Sequence, residues 1–139
     1  MSRPIVVFDT SVLLSAIGWG GNPNRCLNLA RTGQIIGVTC REILEELSAK
    51  LESKLDFTPI EASGVVADLL GVFAFVIISG DLRAVQADPK DDMILECGIV
   101  AGADFIVTGD RRHLLPIGTF QGMRILTPSE LLVELFSFP

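Results

Sequence analysis

The segment Asp88-Pro-Lys-Asp-Asp-Met-Ile-Leu-Glu-Cys-Gly-Ile-Val-Ala-Gly-Ala-Asp-Phe-Ile-Val-Thr-Gly-Asp110 sets five aspartates in an otherwise apolar run. Met93 to Ala101 is apolar around almost the whole helical circumference, which predicts a buried helix with Asp92 and Glu96 on one side. Asp88 reads as its N-cap, Pro89 as its first helical residue, and Asp91 as a first-turn acid favoured by the helix dipole. After a turn containing Asp104, Phe105 to Thr108 reads as a short buried strand, and Asp110 follows one glycine later. One αβ unit thus carries a carboxylate at each end, Asp92 and Asp110. Buried carboxylates destabilise a fold unless something cationic meets them.

The same alternation extends in both directions. Arg3 to Phe8 reads as a first strand ending at Asp9, followed by a helix over Thr10 to Ile17. Gly18 to Pro23 reads as a loop, with Asn22 capping a helix that starts at Pro23 and runs to Arg31. Gln34 to Val38 is a second strand. Capping-box patterns at Thr39–Glu42 and Thr58–Glu61 open helices reaching about Lys54 and Gly71. Val72 to Ile78 and Arg124 to Leu126 complete the strands, and Thr127-Pro-Ser-Glu130 opens a last helix to about Phe138. Strands and helices in this order predict an α/β fold with a parallel sheet of about five strands, in a single domain over 1–139.

Composition narrows the function classes. A net charge of −6 opposes a nucleic-acid binder that coats phosphates with lysine, so a phosphate-bearing substrate requires bound cations at an acidic cluster. Cys26, Cys40 and Cys97 form no Cys-x-x-Cys pair and read as core thiols in a reducing compartment. With His113 the only histidine, a zinc site built from nitrogen and sulfur ligands is not expected. No run of 18 apolar residues is present, and the apolar N-terminal run meets Asp9 too early for a signal peptide. The expectation is a cytoplasmic protein with no membrane partner.

The acidic residues are not equivalent. Asp9 and Asp110 follow strands whose carboxyl ends share one edge in a parallel sheet, the edge where open α/β sheets bind ligands. The competing explanation for each is a helix cap or turn residue. Thr10, Ser11 and Thr108 are placed to orient such carboxylates through their hydroxyls. In the helix opened at Thr39, Glu45 and Glu46 flank the apolar stripe at similar angles, and periodicity does not choose between them. Asp88, Asp91 and Asp104 have structural explanations, whereas Asp92 has none as good. Carboxylates without histidine make a hard-ligand set suited to Mg2+ or Mn2+.

These residues resemble the PIN-domain nucleases, and within them the toxin-like, VapC-like proteins of toxin–antitoxin systems, over nearly the full chain. Val-Phe-Asp9-Thr-Ser-Val-Leu-Leu-Ser is similar to that family's first acidic motif, and Ile-Leu-Glu-Glu46-Leu to its second, where the resemblance selects Glu46. Asp92 stands 18 positions before Asp110, the family's usual spacing to its Thr-x-Asp motif, which Thr108-Gly-Asp110 matches. Thr127 to Leu132 resembles the terminal signature of one toxin-like branch. Where some members carry a further acid, this chain has Arg111-Arg-His113.

The resemblance implies a three-layer α/β/α sandwich and metal-dependent hydrolysis of RNA. It assigns Asp9, Glu46, Asp92 and Asp110 as catalytic ligands of one or two Mg2+ or Mn2+ ions. It further implies a homodimer and a small antitoxin partner. Lys90, Arg111 and Arg112 are candidate phosphate contacts, and His113 a candidate proton donor against its commoner structural role. Two rivals stand beside this reading. One is a non-catalytic RNA- or protein-binding module on the same fold. The other is a phosphohydrolase of haloacid dehalogenase type, disfavoured because position 11 is serine where that chemistry requires a second aspartate.

Overall fold

The computed structural model describes residues 3–84 and 88–136. The strands are β1 (Ile5–Phe8), β2 (Ile36–Thr39), β3 (Ala74–Phe75), β4 (Phe105–Val107), β5 (Thr119–Phe120) and β6 (Met123–Leu126). The helices are α1 (Thr10–Gly18), α2 (Gly21–Arg31), α3 (Arg41–Leu55), α4 (Pro59–Leu70), α5 (Pro89–Ala101) and α6 (Pro128–Phe136), with a 3-10 turn at Leu115–Ile117. The strands form one mostly parallel sheet in the order β3-β2-β1-β4-β6-β5. Helices flank it, as the α/β expectation requires.

β1 is central, pairing in parallel with β2 (Val6 opposite Gly37) and with β4 (Val7 opposite Ile106). Val6, Val7 and Phe8 are fully buried, so both faces of the strand are covered, which is why its sequence shows no polar alternation. α5 packs across β1, β2 and β4. Its Gly98 lies close to β6, where a Cβ would come within 2.5 Å of Met123 Sδ and displace the end of that side chain.

Several boundaries differ from expectation for local reasons. Val72 to Ile78 contributes only a two-residue strand at the sheet edge, because β2 ends at Thr39 and leaves no further partner after Val76 donates to the Thr39 carbonyl at 3.0 Å. Thr39 stays in β2 and does not cap α3. Cys40 takes the N-cap position without a side-chain bond, and Glu42 lies 3.3 Å from Arg41 instead. α2 begins at Gly21 after Gly20, whose φ of 79° turns the chain directly out of α1. The expected Asn22 cap is therefore displaced into the helix. The capping boxes at Thr58–Glu61 and Thr127–Glu130 do form, each with both reciprocal bonds. The antiparallel β5–β6 pair is an additional sixth strand at the second edge. Of the expected extent of the last helix, Phe138 lies outside the described residues.

The core is one cluster running through the sheet and its helices. The three cysteines are buried in it as free thiols. No helix among the described residues is long and apolar enough to cross a membrane.

Candidate metal centre

The parallel register of β1 and β4 brings Phe8 opposite Val107, so the residues after both strands emerge at one edge. The Asp9 amide donates to the Val107 carbonyl at 3.0 Å and holds the two chain ends together. Asp9 occupies the N-cap position of α1 but makes no side-chain cap bond. Its Oδ2 accepts instead from Thr108 Oγ1 at 2.5 Å and from Ser11 Oγ at 3.1 Å. Thr108 Oγ1 in turn accepts from the Asp110 amide at 2.9 Å, so one hydroxyl sets both aspartates. Thr10 Oγ1 is buried without a hydrogen bond, and the orienting contacts come from Ser11 and Thr108.

Asp110 also does a turn residue's work. Its Oδ1 accepts from the amides of Arg112 at 3.0 Å and His113 at 3.2 Å, and its Oδ2 from that of Leu114 at 3.3 Å. The chain is thereby curled so that the His113 imidazole returns over the edge. Its Nδ1 stands 3.5 Å from Asp91 Oδ2 and 3.7 Å from Asp110 Oδ2.

α5 starts at this edge. Asp88 caps it as expected, accepting from the Lys90 amide at 2.9 Å. Asp88 and Asp91 both line the cleft, whereas the expectation that Asp92 shares it with Asp9 and Asp110 is not met. Asp92 lies about 100° further round the helix. Its Oδ1 accepts from the Ala84 amide at 2.8 Å. Glu96, one turn on, accepts from Ser79 Oγ at 2.8 Å and from the amides of Ser79, Gly80 and Leu82. Asp92 and Glu96 do share a side, as their spacing predicted, but that side anchors the segment leading down to α5. A count of 18 back from Asp110 crosses the turn at Gly102, where one residue more or less leaves the helix intact yet changes which aspartate is selected.

α3 contributes Glu46 from the opposite wall. Its side chain is 13% exposed, while Glu45 is 70% exposed and lies 3.7 Å from Arg41. Lys90 Nζ lies 3.3 Å from Glu46 Oε2, yet not in hydrogen-bonding alignment. Asp9, Glu46, Asp91 and Asp110 thus surround an open cleft of about 570 Å3, with Lys90 and Arg111 at its walls. Arg112 is exposed and outside that lining.

The electrostatics are those of an under-compensated site. Burial raises the Asp9 carboxyl above its ordinary value, outweighing the Thr108 and Ser11 hydroxyls, and the charge of Glu46 adds to the rise. Burial also lifts Asp91 to about 8, assisted by the facing Asp110 carboxyl and by the charges of Asp88 and Asp9. Burial acts in the same sense on Asp110, but the Arg112, His113 and Leu114 amides and the facing Asp91 carboxyl outweigh it and leave Asp110 lowered. Of the two, Asp91 is therefore the one that burial and its neighbours favour in the protonated form. Glu46 Oε2 and Asp91 Oδ2 remain buried with no hydrogen bond. An oxygen-rich donor set with orphaned buried atoms fits a hard divalent cation.

Fold and site together define an α/β domain with an acidic cleft at the carboxyl edge of its parallel sheet. The PIN domain family model matches residues 5–112, and the chain belongs to that family. Among solved structures it is similar to VapBC2 from Rickettsia felis bound to a DNA fragment from their promoter. That match has a TM-score of 0.61 and 15% identity, over 87% of this chain and 96% of that one. It is also similar to Mycobacterium tuberculosis VapC20, a Sarcin-Ricin loop cleaving toxin, with a TM-score of 0.59 and 15% identity over 86% and 98% of the two chains. At such identity the likeness establishes the fold. No curated protein matches this chain.

Proposed function

We propose that this chain is a metal-dependent endoribonuclease, the toxin of a toxin–antitoxin pair, acting in the cytoplasm as a homodimer of single-domain chains spanning 1–139. The observation that carries the reading is the pair of buried, unbonded oxygens, Glu46 Oε2 and Asp91 Oδ2, facing a cleft shared with Asp9 and Asp110. The Mycobacterium tuberculosis neighbour is a Sarcin-Ricin loop cleaving toxin, and the Rickettsia felis one is VapBC2 bound to a DNA fragment from their promoter, which supports the same assignment here.

The residues that would hold one or two Mg2+ or Mn2+ ions are Asp9, Glu46, Asp91 and Asp110, with Asp91 in the place that the resemblance gave to Asp92. When bound, such an ion activates water and offsets charge at phosphorus. Ser11 and Thr108 hold Asp9 Oδ2 in place for this. The amides after Asp110 do the same for its carboxylate. Asp91 would coordinate as the carboxylate, so a bound cation would favour its deprotonated form. Lys90 and Arg111, at the cleft walls, stand where RNA phosphates approach and supply the local positive charge that a chain of net charge −6 otherwise lacks, with Arg112 exposed outside that lining.

The test is cleavage of a panel of structured RNAs, including a ribosomal hairpin, by purified protein with Mg2+ or Mn2+. Cleavage is expected in the wild type and in Asp92→Asn, and abolished in Asp9→Asn and Asp91→Asn. A protein inert with both metals, and whose metal binding is unchanged by the Asp9 and Asp91 substitutions, overturns the reading.

A further inference from the structure

His113 Nδ1 lies at ion-contact range from two carboxylates, 3.5 Å from Asp91 Oδ2 and 3.7 Å from Asp110 Oδ2. Asp91 Oδ2 is nevertheless buried without a hydrogen bond. The two groups are close without satisfying each other, which is the relation of two donors directed at a common third point. Donor atoms of Asp88, Asp91 and His113 all lie within 4.8 Å of one another. Ligands about 2.1 Å from a metal stand about 3.0 Å apart at right angles and about 4.2 Å apart when opposite. Both imidazole distances fall between these limits.

The imidazole is held there by the backbone. The His113 amide donates to Asp110 Oδ1, so the turn that fixes Asp110 fixes His113 with it. Its side chain is only 32% exposed, and its cleft-side neighbours are carboxylates.

Resting on the metal-centre reading above, we infer that His113 is a nitrogen ligand of that centre through Nδ1, joining Asp91 and Asp88 at the start of α5, and that it biases the site toward Mn2+ over Mg2+. One histidine is too few to build a nitrogen-dominated site, but it completes an oxygen one. Mg2+ strongly prefers oxygen and rigid octahedral geometry, whereas Mn2+, a transition-metal ion, accepts one imidazole nitrogen within an oxygen set at less cost. Coordination through Nδ1 requires the neutral ring with its proton on Nε2.

The single histidine makes the test specific. Tag-free full-length protein is grown with natural-abundance or 15N-ring-labelled histidine, loaded with Mn2+, and measured by pulsed electron paramagnetic resonance. A 14N coupling that converts to a 15N coupling on labelling is expected. Calorimetry is expected to show Mn2+ affinity falling about tenfold in His113→Ala, with Mg2+ affinity changed less than about threefold. His113→Asp, which restores an all-oxygen set, is expected to shrink the Mn2+ to Mg2+ preference. Mn2+ that binds with no nitrogen coupling, or a preference unchanged in His113→Asp, overturns this inference and leaves the carboxylate centre standing. A wild type that binds no Mn2+ overturns both.

Discussion

At the residue scale, adjacent aspartates on one helix do different work. Asp91 faces Asp110 across the cleft, and Asp92 accepts the Ala84 amide. Asp92→Ala removes the charged acceptor of the part-buried bond from the Ala84 amide, a change worth about 1–3 kcal/mol. Chemical denaturation is expected to show that loss while Mn2+ affinity stays within a few-fold. Asp91→Asn is expected to show the reverse, with metal binding lost and stability kept or raised.

Asp91 also predicts a pH dependence of the metal-free protein. Its carboxyl lies at about 8 in the fold against an ordinary 3.8, so the folded state binds this proton more tightly than the unfolded chain does. The stabilisation it brings is complete below the ordinary value and is lost as pH rises toward about 8. Thermal unfolding between pH 5 and 8 is expected to show the wild type losing stability relative to Asp91→Asn. Saturating Mn2+ is expected to remove that difference in slope, because the cation replaces the proton. A wild type and a variant with parallel pH profiles would count against a protonated Asp91.

At the element scale, α5 is tied on two sides. Its first turn meets the cleft, and one turn apart Asp92 and Glu96 hold the segment that descends from β3. Burial pushes the Glu96 carboxyl up, but the Ser79 hydroxyl and the amides of Leu82, Gly80 and Ser79 outweigh it and leave it lowered, so it binds these donors as a carboxylate. Glu96→Ala is expected to cost about 3 kcal/mol, since several charge-assisted bonds are lost together. Glu96→Gln keeps an acceptor oxygen and is expected to cost less, and equal losses in urea unfolding would contradict the anchoring role. The reciprocal box at Thr58 and Glu61 is simpler, and Thr58→Ala is expected to cost about 1 kcal/mol.

At the scale of the whole molecule, the sheet order brings together acids 101 positions apart in the chain, Asp9 and Asp110. A cation bound there links site and stability by mass action. At about 100 times its dissociation constant it stabilises the fold by about 2.7 kcal/mol. For a chain of this length that corresponds to a rise of about 8 °C in the unfolding midpoint, reversed by a chelator. An unfolding midpoint unmoved by Mn2+ and by chelator alike would argue that the cleft binds no metal.

Sequence alone determines the α/β alternation, the capping boxes at Thr58 and Thr127, and the meeting of Asp9 with Asp110. These depend on periodicity, on pairs within one turn, and on the shared edge of parallel strands, all of which survive small errors in counting. Glu46 was legible only through resemblance, because a helical wheel leaves it level with Glu45 until the neighbouring wall is known. Tertiary structure alone decided that Asp91 lines the cleft while Asp92 turns to the Ala84 amide, and placed His113 over the cleft. The physical reason is angular. One residue on a helix is a turn of about 100°, so a spacing that crosses a loop fixes the helix but not which of its faces meets the sheet edge.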